Sequence, residues 1–448
     1  MKNIDRKVAL KTIGCKVNQY ETGVIKQTFL KNGFTAVDFR EKADIYIINT
    51  CAVTREAERK SKQMIRKAGR TNPFATVIVT GCAVQTDLEE IKDCTNTSCH
   101  IISNYYKNDI FNIFAKSSIN SPKKIIHFIP GVHINQYHEN YFPSTSNRIR
   151  GLVKIQDGCN QFCSYCVIPY LRGKARSRKV NDILSEIREL IKNRYKEIVL
   201  LGINLGSYGE DLETDNINLA KLIKKIEKIH GLERVRLSSI EFPWITDELI
   251  DTFNNSSKLC HHLHIPLQSG DDYILSLMRR KYNITIFEEK VKKIMAGIPD
   301  IAITTDIIVG FPGEDVLSFQ KTYHFLKRIG FSKIHVFPYS ERLLTLSSLF
   351  TGKNNTEVIK KRVKKLTKLS LKLRKDFFLN NLNQEKTIII ENSYSKNNNK
   401  YASCGLTDNY ITVCIKGLKK KNGELIKVRL KNAFDSYIEG EEVINQIK

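Results

Sequence analysis

Apolar residues along the chain gather in short unalternated runs, each followed by a stretch with helical spacing. Val8 to Ile13 ends at Gly14-Cys15 and precedes a helical segment from about Asn18 to Asn32, stopped by Gly33. The unit recurs: Ile45-Tyr-Ile-Ile-Asn-Thr leads to Cys51 and a helical stretch through Arg66, and Thr76-Val-Ile-Val-Thr-Gly leads to Cys82 before Asp87-Leu-Glu-Glu. Runs of this kind predict parallel strands buried on both faces. From about 145 to 350 the same alternation gives six further strands, at Leu152–Gln156, Glu197–Ile203, Arg234–Ser239, His262–Leu267, Ile303–Gly310 and Lys333–Pro338. Six βα units with short links predict an open parallel barrel rather than the closed eight-stranded form.

The pattern changes after residue 350. Residues 353–375 carry eight Lys and two Arg against one acidic residue, Glu357, while Val363, Leu366, Leu369 and Leu373 fall at helical spacing. A helix with one packed face and one basic face follows, and a solvated linker and an RNA contact explain it equally well. Beyond it, Lys386–Glu391, Ala402–Cys404, Tyr410–Lys416, Glu424–Leu430 and Tyr437-Ile-Glu-Gly-Glu predict five short strands, enough for a small oligonucleotide-binding type of barrel. The expected fold class is therefore α/β: a Rossmann-like parallel domain over 1–125, an open (βα)6 core over 145–375 and a small OB-like β-barrel over 377–442.

Cysteine placement adds chemistry. Cys159, Cys163 and Cys166 stand in Cys-x3-Cys-x2-Cys spacing, and the nearest further Cys or His are His138 and His230. A structural zinc site closes with four protein ligands. A [4Fe–4S] cluster with three cysteines instead keeps one iron open to another molecule. The spacing resembles the radical S-adenosylmethionine (SAM) superfamily, which implies a cluster with SAM on its open iron and a 5′-deoxyadenosyl radical able to take hydrogen from carbon. The hard chemistry then belongs to the cofactor. Cys15, Cys51 and Cys82 each follow a predicted strand, 36 and 31 positions apart. The loops after parallel strands share one edge, so these three thiols are expected to converge as a second ligand set. Cys94, Cys99, Cys260, Cys404 and Cys414 show no such pattern and read as isolated thiols. Gly202-Ile-Asn-Leu-Gly-Ser-Tyr-Gly209, Ser238-Ser-Ile-Glu241, Pro266-Leu-Gln-Ser-Gly270 and Gly310-Phe-Pro-Gly-Glu314 follow strands too, and serve either as a SAM cradle or as tight turns. His261, His262 and His264 read as strand residues.

Composition narrows the setting. Lys+Arg 72 against Asp+Glu 47 gives +25, which suits a polyanionic partner, though a Lys- and Asn-rich composition contributes. Eleven cysteines in a chain of 448 residues do not form a small secreted framework, and no 18-residue apolar run offers a membrane span. A cytoplasmic protein with reduced thiols is expected.

As a set, Gly14-Cys-Lys-Val-Asn-Gln-Tyr-Glu21, Asn49-Thr-Cys51, Thr80-Gly-Cys82, Gly158 to Arg178, Arg236-Leu-Ser-Ser-Ile-Glu241, His262 to Gly270, Met278-Arg-Arg-Lys-Tyr282, Thr305 to Glu314, Phe337-Pro-Tyr-Ser340 and Thr407-Asp-Asn-Tyr410 resemble the tRNA methylthiotransferase family over nearly the whole length. The resemblance implies two [4Fe–4S] clusters, on Cys15, Cys51 and Cys82 and on Cys159, Cys163 and Cys166, with SAM as co-substrate. Tyr165, Gly202, Asn204, Glu241, Gln268 and Ser269 are its candidate SAM contacts. It further implies a C-terminal TRAM domain gripping the tRNA anticodon loop, an electron donor such as flavodoxin or ferredoxin, and no membrane. The implied reaction places a methylthio group on carbon 2 of a modified adenosine beside the anticodon. Lys16-Val-Asn-Gln19 and Gly206-Ser-Tyr-Gly209 look like the N6-threonylcarbamoyladenosine branch rather than the isopentenyladenosine branch, which typically carries Gln-Met-Asn after the first cysteine. The chain departs from that branch at Asn204, Leu344 and Leu406, positions that bear on substrate choice and RNA fit and leave the cysteines intact. An electron-transfer protein with iron–sulfur clusters and a zinc-bearing RNA-binding protein are the readings from other classes.

Overall fold

The computed structural model describes residues 6–94, 97–116, 124–130, 149–212, 216–396 and 400–443. His138 and the expected domain edges at 1–5 and 145–148 lie outside the described residues. The N-terminal strands form one six-stranded, all-parallel sheet in the order Thr35–Val37, Lys7–Thr12, Ile45–Thr50, Thr76–Gly81, Cys99–Ile102, Lys124–His127. The three strands read from sequence are central, and Ile45–Thr50 is buried at every residue. The helices Lys16–Lys31 and Arg55–Thr71 follow their strands as expected, the first beginning two residues earlier than the periodicity indicated. The two edge strands and Cys99–Ile102 were not foreseen.

All six strands of the middle region are present: Arg150–Lys154, Glu197–Leu201, Arg234–Leu237, His262–His264, Ala302–Val309 and Lys333–Pro338. They pair in parallel as two three-stranded sheets. A β-bridge from Val235 to Leu259 and a bond from the Ile240 N–H to the His264 carbonyl at 3.0 Å join the two halves. Side chains alternate as strand geometry requires. Val153, Ile198, Leu200, Val235, Leu237, Leu263 and Ile303 join the large core beneath the outer helices. On the opposite, inner face, His262 Nε2 and His264 Nδ1 both meet Thr304 Oγ1, at 3.1 and 2.8 Å. Leu152, Val199 and Leu201 on that inner face pack with Val17, Tyr20 and Val24 of the first N-terminal helix, which thus reaches into the open barrel.

The basic helix runs Thr356–Asn380 and buries Leu366, Leu369, Leu373 and Phe378, leaving Lys361, Lys364, Lys368, Lys372 and Lys375 exposed along its other side. After it, Glu385–Lys396, Lys400–Thr407, Thr412–Lys416, Leu425–Ala433 and Ile438–Glu442 close into a five-stranded barrel. Cys404 and Cys414, read from sequence as isolated thiols, face each other across neighbouring antiparallel strands and are joined as a disulfide. The small barrel docks on the parallel core through two arginines of strand Arg234–Leu237. Arg236 donates to the carbonyl oxygens of Asp408 and Thr407 at 2.8 and 3.0 Å while its Nε holds Glu197 Oε1 at 2.8 Å, and Arg234 donates to the Leu406 carbonyl at 3.2 Å.

Arg236 and Glu197 are both fully buried, so removing the cation strands the carboxylate. Arg236→Met is expected to cost about 3–5 kcal/mol, read as a lower urea midpoint. An unchanged midpoint would show that the clamp contributes nothing to stability.

Candidate active site

Local backbone geometry sets the two cysteine loops. Gly14 has φ +98°, and a Cβ there would stand 2.7 Å from Cys51 Sγ; Gly158 has φ +71°, and a Cβ there would lie 2.0 Å from the Lys174 carbonyl oxygen. Both positions need glycine, for a left-handed turn and for lack of room. Cys15 caps the helix Lys16–Lys31, Cys51 follows strand Ile45–Thr50, and Cys82 opens the short helix Cys82–Thr86. Asn18 locks this edge by donating to the carbonyls of Ile13 and Thr50 at 2.8 and 2.9 Å. Crowding by protein is the main influence pushing the thiols of Cys15 and Cys51 up, Cys51 to about 12, and the nearness of Cys82 adds to it in both. The three thiols expected to converge are therefore neighbours. Cys15 is accessible and Cys51 and Cys82 are buried.

Cys159, Cys163 and Cys166 form the second neighbourhood. Burial pushes Cys159 up to about 12 and raises Cys166 further, and in both the proximity of Cys163 adds to the effect. Among the described residues no three Cys, His, Asp or Glu side chains close around a single ion position. The Gln161 backbone N–H donates to Cys159 Sγ at 3.5 Å and Arg280 Nη1 to Cys163 Sγ at 3.5 Å. Donors of this kind suit thiolates that bear net negative charge.

Around this loop stand the expected SAM contacts. Gln156 ties two of the segments together: its amide donates to the carbonyls of Asp157 and Gly158 at 2.9 Å each, and its Oε1 accepts the Asn204 backbone N–H at 2.9 Å. Asn204 is buried, and among the described residues neither its Oδ1 nor Ser238 Oγ has a hydrogen-bond partner. A buried acceptor without a donor is costly unless a ligand completes it. Gly202 lies against Gln156, with space for a Cβ only 3.0 Å from its Oε1. Glu241 is ion-paired with Arg280. Tyr165 is half-buried, its ring edge-on to Phe311 at 6.5 Å. Gln268 holds φ +71° and bonds to Asp306 O through its N–H at 2.8 Å. Ser269 is placed differently, because its hydroxyl meets Thr322 Oγ1 at 3.4 Å and the Asp271 N–H at 3.3 Å within its own turn.

The two loops face one another across a buried ion network. Arg172 donates to Glu21 Oε1 at 2.8 Å, Asp157 Oδ1 at 3.0 Å and Asn18 Oδ1 at 2.7 Å. Lys107 and Lys154 also hold Glu21, at 2.6 and 3.1 Å, and Lys154 and Arg176 hold Asp157, at 3.1 and 3.2 Å. Val167 and Leu171 join the core of the N-terminal sheet. Asn104 donates to the Leu171 carbonyl at 3.1 Å. Four named cations thus meet two carboxylates between the cysteine sets, a positive surplus that complements clusters made anionic by thiolates. Arg172 and Arg280 both stand in motifs visible in the sequence, but nothing local to either motif assigns them these roles.

Residues 7–103 match the "Uncharacterized protein family UPF0004" and residues 153–326 the "Radical SAM superfamily". Over 437 residues the chain is 39% identical to a threonylcarbamoyladenosine tRNA methylthiotransferase of Bacillus subtilis, covering 97% of this chain and 96% of that protein. The chain belongs to the tRNA methylthiotransferase family. The methylthiotransferase relatives also include the Aquifex aeolicus enzyme with the same name, 36% identical with 94% and 99% covered. A tRNA-2-methylthio-N(6)-dimethylallyladenosine synthase of Thermodesulfovibrio yellowstonii is 33% identical, with 97% and 98% covered. Among solved structures, the radical SAM methyltransferase TsrM of Kitasatospora setae shares the fold at TM-score 0.55 and 13% identity, over 74% of this chain and 73% of that one. No helix among the described residues is long and apolar enough to cross a membrane.

Arg172 keeps Glu21 and Asp157 ionised: burial alone would raise both carboxyls, but Arg172 and the lysines hold them below the usual carboxylate range. Stability from such groups is present above about pH 4 and is lost as pH falls through their depressed folded values. In Arg172→Met those values rise, so acid unfolding followed by circular dichroism is expected to begin at higher pH, with about 3–5 kcal/mol lost at neutral pH. An acid midpoint at or below that of the wild type would contradict this role.

Proposed function

We propose that this methylthiotransferase adds a methylthio group to carbon 2 of N6-threonylcarbamoyladenosine beside the tRNA anticodon. The observation that carries the reading is the pair of three-cysteine loops facing each other across Arg172. Relatives named for this substrate, at 36–39% identity over most of the chain, support it over the dimethylallyladenosine synthases at 33–34%.

Cys15, Cys51 and Cys82 hold one [4Fe–4S] cluster in this reading, and Cys159, Cys163 and Cys166 hold the other. When bound, the second cluster supplies the electron that cleaves SAM to a 5′-deoxyadenosyl radical, and the first supplies the sulfur. The chain's own residues position the reactants. Tyr165 and Gly202 wall the SAM site, Asn204 Oδ1 and the Glu241 carboxylate accept from SAM's donors, and Gln268 contributes from the turn after strand His262–His264. Arg280 holds Glu241 in place and donates to Cys163. The aromatic C–H of the base is too weakly acidic for a side-chain base, so no general base is required. A single-stranded anticodon loop lets the base splay out into such a recess, and the exposed lysines of Thr356–Asn380 contact its phosphates. The electron comes from a flavodoxin- or ferredoxin-like donor, and the reaction takes place in the cytoplasm.

Nucleoside mass spectrometry of tRNA from a host lacking methylthiotransferases is expected to show 2-methylthio-N6-threonylcarbamoyladenosine only when this protein is present. The isopentenyl counterpart in its place would overturn the substrate. Cys163→Ala is expected to abolish SAM cleavage, while Cys51→Ala retains cleavage and loses sulfur insertion; equal loss of cleavage in both folded variants would overturn the division of labour.

For the basic helix, Lys364→Gln, Lys368→Gln and Lys372→Gln together are expected to weaken tRNA binding. They should also flatten the log–log salt slope by about 0.7–0.9 for each phosphate that a lysine no longer neutralises. An unchanged slope would assign the helix to scaffolding.

A further inference from the structure

Phe337 is a large apolar side chain left 41% exposed on the inner face of the open barrel. Its strand, Lys333–Pro338, lies at the edge of its sheet, and alternation fixes which way each side chain turns. Ile334 and Val336 pack into the outer core. His335 turns inward, edge-on to His264 at 5.5 Å, and Phe337, two residues on, shares that face. Register gives its height. Phe337 lies beside Ile308, just as His335 lies beside Asp306, which meets His264 at 3.1 Å. Ile308 and Tyr165 of the cysteine loop pack against the same cluster of Ile274, Met278 and Phe311. The Met278 carbonyl in turn accepts the Ser164 N–H at 3.2 Å. Phe337 therefore stands in the row of inner side chains next to the loop that carries Cys163 and Cys166.

The chain that leaves Phe337 is tied to both cysteine sets. Tyr339 Oη meets Ser347 Oγ at 2.8 Å, and the Ser347 N–H bonds the Ser164 carbonyl at 2.8 Å. Ser340 Oγ accepts the Arg55 N–H at 3.1 Å and Arg342 pairs with Glu58, which fastens the same loop to the helix that follows Cys51. Val53, two residues past Cys51, is exposed as well. A lone exposed ring on an outer surface needs no explanation. This one lies on the inner face of a barrel, at the junction of two domains that each carry a set of thiols.

The chemistry of the substrate says what an aromatic face does there, and this step rests on the function proposed above. The reacting atom is a carbon bearing hydrogen, which no strong hydrogen bond holds in place, so the purine is positioned by its faces and its other edges. A base drawn out of the anticodon loop also loses its stacking neighbours, and aromatic side chains replace them. We propose that Phe337 is a substrate-positioning residue, the platform on which the target purine stacks. Contact through the face leaves the C2 edge free for hydrogen removal and sulfur insertion. Stacking is indifferent to what N6 carries, so Phe337 supplies placement and takes no part in choosing between N6 substituents.

The test uses the full-length, cluster-reconstituted protein and two anticodon stem–loop RNAs, one carrying N6-threonylcarbamoyladenosine at the target position and one abasic there. Binding is read by fluorescence anisotropy. Phe337→Ala is expected to weaken the base-bearing RNA by about 5- to 100-fold, the range of one base–aromatic stack, and to leave the abasic RNA unchanged. Phe337→Tyr should bind both as the wild type does, with iron and sulfide content kept in each variant. With SAM, sulfide and a reductant present, Phe337→Ala should raise KM for the RNA, leave KM for SAM, and release more 5′-deoxyadenosine per methylthiolated base. An equal loss on both RNAs, undiminished binding of the base-bearing RNA, or a rise in KM for SAM alone would overturn the assignment. If the wild type modifies the base and Phe337→Ala modifies it equally well, Phe337 is refuted and the reaction stands. A wild type that leaves the base unmodified and binds both RNAs equally would refute the reaction and this assignment with it.

Discussion

Burying Arg172 between Glu21 and Asp157 is the constraint on which the rest of the arrangement depends. Taking these charges out of water costs several kcal/mol per ion unless partners and hydrogen bonds replace the solvent. Here they do, because Arg172 bonds Glu21, Asp157 and Asn18 at once. Glu21 belongs to the helix that starts after Cys15, and Asp157 and Arg172 bracket the loop of Cys159, Cys163 and Cys166. A network of this kind is satisfied in one relative placement of its elements and heavily penalised in others. Its value is geometric: it fixes the distance between two groups of thiols that, among the described residues, no backbone hydrogen bond joins.

The same economy of charge repeats at larger scale. The surplus of +25 over the chain draws polyanions, but the surplus that matters chemically is the small one inside. Arg172, Lys107, Lys154 and Arg176 outnumber the carboxylates they touch, and Arg280 beside Cys163 adds another buried cation. Thiols that burial pushes upward ionise more readily when cations stand close, and the buried surplus acts in that direction, through Arg172 on Cys15 and Cys51 and through Arg280 on Cys159. Outside, the charge of the exposed lysines of Thr356–Asn380 is screened by salt as any surface charge is.

Much of this was legible in the sequence, for identifiable reasons. Strands buried on both faces show as unbroken apolar runs, so Val8–Ile13, Ile45–Thr50 and Thr76–Gly81 could be read, and with them the shared edge that gathers Cys15, Cys51 and Cys82. Edge strands lack that signature: Thr35–Val37 has three residues and Lys124–His127 alternates exposed with half-buried positions. Cys404 and Cys414 could not be paired by spacing, since what joins them is the antiparallel register of two strands. Arg172 and Arg280 were visible as residues of named motifs, but their partners lie 151 and 39 positions away, at Glu21 and Glu241. Periodicity reports local burial and carries no information about which distant carboxylate an arginine will meet.

The small C-terminal barrel illustrates the remaining step from fold to function. Its Thr407-Asp-Asn-Tyr410 turn hands its carbonyls to Arg236 and places the Tyr410 ring on His262. Asn409 from the same turn bonds the Asp300 carbonyl at 3.1 Å and Asn381 at 2.9 Å. A domain added only to hold RNA would need no side chain inside the catalytic barrel. Tyr410 is one, and burial, which alone would raise its phenol, is outweighed there by Lys16, Arg150 and Arg236. Because Lys16 comes from the N-terminal domain and Arg236 from the parallel core, this electrostatic setting of Tyr410 exists only when all three parts are docked. The small barrel and the parallel core are thereby fixed against each other by the same contacts that place Tyr410, so neither can shift without displacing the other.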